Sequence, residues 1–157
     1  MLTLLLLLTL SLAARGEEGK VLKVFPQYLD LEGRHTLSPS LFARDSYQFY
    51  LRLRPRERSG LRVAVQWKEK GGEASNLRLR VEMRGLRGNT LREVTLEKPA
   101  VKNGWFSHWT EVRLGGADYK DFGELVSWRV SLWNGPKQLS KQQSFLWDGV
   151  PPPAKQP

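Results

Sequence analysis

Cysteine is absent from the 157 residues, which excludes a disulfide scaffold, a thiolate metal site and a cysteine nucleophile. Histidine occurs only at His35 and His108, too few and too far apart in the chain for a histidine-rich metal cluster. None of Asn76, Asn89, Asn103 and Asn134 begins an Asn-x-Ser/Thr acceptor. The sequence has no Gly-x-Ser-x-Gly elbow, no phosphate-cradling glycine loop and no His-Glu-x-x-His helix. It carries no cofactor-binding signature. Long apolar runs are also missing, apart from residues 2–12.

That single run is interrupted only by Thr3, Thr9 and Ser11 and is too short for the roughly 20 apolar residues of a membrane helix. It matches the apolar region of a secretory signal, with small residues following at Ala13, Ala14 and Gly16. Cleavage after Ala13 and cleavage after Gly16 both satisfy the small-residue rule. The expected organisation is a signal peptide over 1–16, one domain over 17–148, and a Pro-rich disordered tail over 149–157. No transmembrane segment is expected after cleavage, so the chain reads as exported, periplasmic or secreted. Export without disulfides or glycosylation acceptors fits a bacterial envelope or secreted protein.

What is present is alternation at period two. Leu61, Val63, Val65 and Trp67 point one way, and Arg62, Ala64, Gln66 and Lys68 the other. Leu77, Leu79, Val81 and Met83 repeat the pattern opposite Arg78, Arg80, Glu82 and Arg84, and Val126, Trp128, Val130 and Leu132 repeat it again. A weaker run over 91–96 reads as a hairpin partner, and Asn134-Gly135-Pro136-Lys137 is a turn leading into a strand over 141–147. Short strands are expected on either side of Pro26, at 20–25 and 28–31. A further strand is expected over 106–114, with Phe106, Val112 and Leu114 in phase and Trp109 out of phase.

Residues 39–54 admit two readings. Ser38-Pro39 resembles a helix start, and Phe42, Phe49, Tyr50 and Leu53 share a helical face. Tyr47, Phe49, Leu51 and Leu53 alternate equally well as a strand. The preferred reading is a short helix or irregular turn at 39–45 followed by a strand. The fold class is therefore all-β, an Ig-like or fibronectin-III-like β-sandwich of seven or eight strands, with a small β-barrel as the runner-up.

The runs Ser59-Gly-Leu-Arg-Val-Ala-Val-Gln-Trp67 and Val126-Ser-Trp-Arg-Val-Ser-Leu-Trp133 resemble small exported, cysteine-free bacterial β-sandwich proteins of unknown function. The resemblance implies a fold and a compartment. It implies no activity.

The formal charge of +9 is unevenly spread. Residues 52–92 hold ten Arg and two Lys against four Glu, a net of +8, whereas basic and acidic residues cancel over 103–148. If their strands share a sheet, Arg52, Arg54, Arg62, Lys68, Arg78, Arg80 and Arg84 form one basic face. Such a face suits an acidic polysaccharide, a lipid headgroup or an acidic protein. Nucleic acid fits an exported chain least well.

Six tryptophans are many for this length. Trp67 and Trp128 are in phase with aliphatic neighbours and belong to the core. Trp133, Trp105 and Trp109 are the candidates for stacking on sugar rings, with Trp133 at a hairpin end the best placed. Asp118, Asp121 and Glu124 lack calcium-loop spacing and read as a solvated turn with Tyr119 and Phe122 tucked inward. No metal site is expected.

A glycosidase-like carboxylate pair would need spatial proximity that sequence does not show. The overall expectation is a non-catalytic binding or interaction domain of the cell envelope with a basic face. A neutral-carbohydrate module using exposed tryptophan is the alternative, and a small hydrolase a distant third.

Overall fold

The computed structural model describes residues 18–71 and 74–149. The expected signal segment, and the expected tail beyond residue 149, lie outside the described residues.

Seven strands are present among the described residues: β1 (Glu18–Asp30), β2 (Arg58–Lys70), β3 (Leu77–Arg87), β4 (Thr90–Pro99), β5 (His108–Gly115), β6 (Glu124–Asn134) and β7 (Lys137–Gln143). They form two antiparallel sheets, β1-β2-β5 and β4-β3-β6-β7, in a sandwich-like arrangement. The sheets do not close into a barrel, so the runner-up fold is set aside.

The alternation explains the core. Along β2, Leu61, Val63, Val65 and Trp67 are fully buried. In register with them are Tyr28, Val24 and Val21 on β1, and Leu114, Val112, Thr110 and His108 on β5. Leu77, Leu79, Val81 and Met83 of β3 supply the facing layer, with Leu132, Val130 and Trp128 of β6 beside them. Burying each large side chain contributes about 1.5–3 kcal/mol, so these rows dominate the stability of the fold.

The segment after β1 departs from expectation. One helix, α1 (Leu41–Leu53), runs through the segment where a short helix or irregular turn over 39–45 and then a strand are expected. Its cap is Ser40, whose hydroxyl accepts from Ala43 N at 3.5 Å, and Pro39 precedes the cap. The alternating aromatics mislead because only Leu51 among Tyr47, Phe49, Leu51 and Leu53 is fully buried. A second short helix, α2 (Gly116–Phe122), occupies the expected acidic turn and buries Tyr119 and Phe122.

The strand β1 is continuous through Pro26, where two short strands are expected. Proline is tolerated because β1 is an edge strand and the missing N–H costs no ladder bond. The edge itself is covered. Val21 N donates to Ser140 Oγ at 2.9 Å, and Gln48 of α1 accepts from Tyr28 N at 2.7 Å and donates to Tyr28 O at 3.0 Å.

Arg58 fastens α1 to both sheets. Its Nε donates to Leu51 O at 2.5 Å, and Nη2 donates to Arg52 O, so a guanidinium occupies the negative end of the helix. Nη1 reaches Glu124 Oε1 of β6 at 2.5 Å, and the group lies 4.0 Å over the Tyr28 ring. No helix among the described residues is long and apolar enough to cross a membrane.

Candidate binding surface

The expected basic face is divided among three places. Arg52 lies in α1 and Arg54 just after it, where Arg54 covers the Tyr50 ring at 4.0 Å. Arg62 and Lys68 lie on the outer face of β1-β2-β5. Arg78, Arg80 and Arg84 lie on the outer face of the other sheet. The consecutive strands β2 and β3 fall on different sheets, and the cluster in sequence does not become a cluster in space.

The second sheet's arginines are also engaged internally. Arg80 donates to Glu97 at 2.6 Å, Arg78 lies 3.8 Å from the same residue, and Arg84 donates to Glu93 at 3.0 Å. Arg129 holds Glu82 with two bonds of 2.8 and 2.7 Å. These cations interleave with aromatic rings. Arg84 and Arg129 lie 3.9 and 4.7 Å over Trp147, which is buried, and Arg78 and Arg80 lie 5.5 and 4.9 Å over Trp133. Trp133 is thus half-buried under two guanidinium groups, contrary to the expectation that it is the best-placed exposed tryptophan.

The outer face of β1-β2-β5 differs. Its rows are Lys20–Lys68, then Lys23–Gln66–Trp109, then Phe25–Ala64–Glu111, then Gln27–Arg62–Arg113. Phe25 and Trp109 stack across the small Ala64, with ring centres 6.1 Å apart and planes at 15°. Arg62 bonds Glu111 at 2.5 Å and Gln27 at 2.6 Å, and Arg113 also donates to Glu111. Burial pushes the Glu111 carboxyl up, but the bonds from Arg113 and Arg62 outweigh it and hold the group below its usual range. Lys20, Lys23 and Lys68 are exposed and make no ion pair among the described residues.

Beside Trp109 the chain forms a tightly bonded loop. Asn103 Oδ1 accepts from Trp109 N at 2.9 Å while its Nδ2 donates to Trp109 O at 2.7 Å. The buried His108 imidazole accepts at Nδ1 from both Asn103 N and Gly104 N, each at 3.0 Å. A Cβ on Gly104 would meet Ser107 O at 2.2 Å, so the tight turn needs glycine. Burial, and then Lys102, lower the His108 pKa, with Glu69 opposing, and the two N–H donors require the neutral ring at Nδ1.

The product of this bonding is the presentation of two large aromatics. Trp105 is 97% exposed and Phe106 91% exposed. The strand expected to begin at Phe106 begins at His108, which leaves both rings outside the ladder. Lys20, Lys23, Phe25 and Phe106 are additions to the sequence-predicted site. The signal for Phe106 is two aromatics directly after Asn103-Gly104 and before the alternation of β5 resumes, whereas Lys20, Lys23 and Phe25 join the site only through the β1–β2 register.

Other chemistry is structural. Asp30 is buried, its carboxyl bonded to Tyr47 Oη at 2.6 Å and to Arg34 Nε at 2.8 Å. Burial pushes that carboxyl up, yet these bonds bring it down to about 2, and burial with the Asp30 bond raises Tyr47 to about 12. Among the described residues no group of three His, Asp or Glu is placed to hold a metal ion. No family model matches the chain, and no curated protein or solved structure is significantly similar to it.

Proposed function

We propose that this chain is an exported, non-catalytic binding module of the fibronectin-III-like type that recognises acidic polysaccharide. The sheet orders β1-β2-β5 and β4-β3-β6-β7 support that fold type, three strands against four. The ligand surface is the outer face of β1-β2-β5 around Lys20, Lys23, Lys68, Trp109 and Phe25, together with the Trp105-Phe106 loop.

The carrying observation is the pre-organised exposure of Trp105 and Phe106 by the His108–Asn103 bonds. Solvent-exposed aromatics on a fixed turn are costly to keep and lose little entropy when a sugar ring stacks on them. The three lysines supply cations for carboxylate or sulfate groups, and steer acidic chains toward the face. Arg78, Arg80 and Arg84 support the sheet and take no part in binding, since carboxylates and indole rings occupy them.

The flat Phe25–Trp109 stack favours a second reading, recognition of neutral sugars through aromatics alone. Binding to acidic and neutral glycan arrays at low and physiological salt separates the two. Retention of acidic glycans that fades with salt and is lost in W105A/F106A supports the first. Salt-insensitive retention of neutral glycans supports the second, and silence on both arrays overturns the proposal.

A further inference from the structure

A different surface carries an inference independent of glycan recognition. The helix α1 buries Gln48 and Leu51 on one side, with Tyr47 half-buried beside them, and on the opposite side carries Phe42, Phe49 and Leu53, exposed by 82%, 62% and 64%. At 3.6 residues per turn these three lie within about 40° of one another on the helix, a continuous apolar stripe. Leu31, Leu37 and Leu41 are exposed as well. Patches of this kind mark interaction sites.

The charges beside the stripe identify the occupant. Asp45 and Arg52 are seven residues apart and therefore stand on the same flank of the helix. Arg44 engages Oδ1 of Asp45, at 3.0 Å from Nε and 2.9 Å from Nη2, and the Arg52 guanidinium makes no ion pair among the described residues. When two helices pack antiparallel about a dyad, each flank meets the same flank of its partner. A dyad between positions 48 and 49 places Asp45 of each copy opposite Arg52 of the other, with Phe49 at the centre. The face is thus complementary to itself, as an isologous contact requires.

We propose that the outer face of α1 is a twofold interface, in which Phe42, Phe49 and Leu53 pack against the same residues of a second copy. Reciprocal Asp45–Arg52 pairs set its antiparallel register. The helix has 13 residues, so the contact is small and the dimer concentration-dependent.

Sedimentation equilibrium across micromolar concentrations tests this. The native protein should pass from one chain per particle to two. F49E should remain a single chain at every concentration while keeping the native melting temperature, because Phe49 is exposed in the fold. D45R and R52D alone should each weaken association at least tenfold, and D45R/R52D together should restore it. A native protein that stays a single chain throughout would overturn the proposal, as would a double variant no better than the singles. Cosedimentation with anionic vesicles that F49E abolishes, with no dimer in solution, would assign the face to lipid and overturn it equally.

Discussion

Lys20 of β1 and Lys68 of β2 stand directly opposite one another in the antiparallel ladder, both on the outer face of the sheet. Like charges so placed destabilise a sheet by roughly 0.2–1 kcal/mol. An acidic ligand would relieve that repulsion. Replacing either lysine with glutamate should therefore raise the melting temperature slightly at low salt and weaken acidic-glycan binding. A thermal melt beside a binding isotherm checks both halves.

The bonds at His108 make the loop sensitive to acid. Its native pKa is lowered by burial from an ordinary 6.5, so the unfolded chain takes up the proton first. The stability contributed by the neutral ring is complete above about pH 6.5 and is lost as pH falls through the depressed native value. His35, also lowered by burial, acts in the same direction. Asp30 acts at lower pH, with its contribution fading from its ordinary 3.8 toward about 2. Urea midpoints measured from pH 7 to 4 should fall for the native protein. H108F should start lower at pH 7 and show a shallower decline.

Arg58 ties the end of α1 to β6 through bonds to Leu51 O, Arg52 O and Glu124, with its own side chain buried. Substitution by methionine keeps the bulk but leaves two helix carbonyls without their cation. The expected loss is about 2–3 kcal/mol, the scale of hydrogen bonds to a charged group. The urea midpoint should drop with little change in slope.

Arg78 and Arg80 are expected to support the sheet and Trp133 and to take no part in binding. R78Q/R80Q should leave acidic-glycan affinity within about twofold, a change of under roughly 0.5 kcal/mol. It should also expose Trp133, visible as a red shift of tryptophan emission. A large loss of affinity would restore the arginine face as the binding surface.

How much of this is legible in the sequence follows from which faces are buried. Leu61, Val63, Val65 and Trp67 alternate because one side of β2 faces the core, and the strand is readable for that reason. Tyr47, Phe49, Leu51 and Leu53 alternate without a sheet behind them. They belong to a helix whose apolar outer stripe defeats the usual link between apolar spacing and burial. The acidic turn is readable in part, since Tyr119 and Phe122 turn inward as spacing implies, although the segment is helical.

The site is less legible than the fold. Arginines at 52–84 cluster in sequence, but the division of β2 and β3 between sheets is a long-range fact that no local pattern carries. Lys20 and Lys68 are 48 positions apart, and only the register brings them together. Trp105 and Trp109 can be singled out beside Asn103-Gly104. That Trp105 is exposed, while Trp133 lies under Arg78 and Arg80, depends on the ladder.

The most direct test of the central claim is the salt dependence of binding to an acidic oligosaccharide, measured for the native protein, K20E/K68E and R78Q/R80Q. Affinity should fall with salt, with a slope that shrinks in K20E/K68E and stays unchanged in R78Q/R80Q. A slope untouched by the lysine changes, or no binding at low salt, would contradict it.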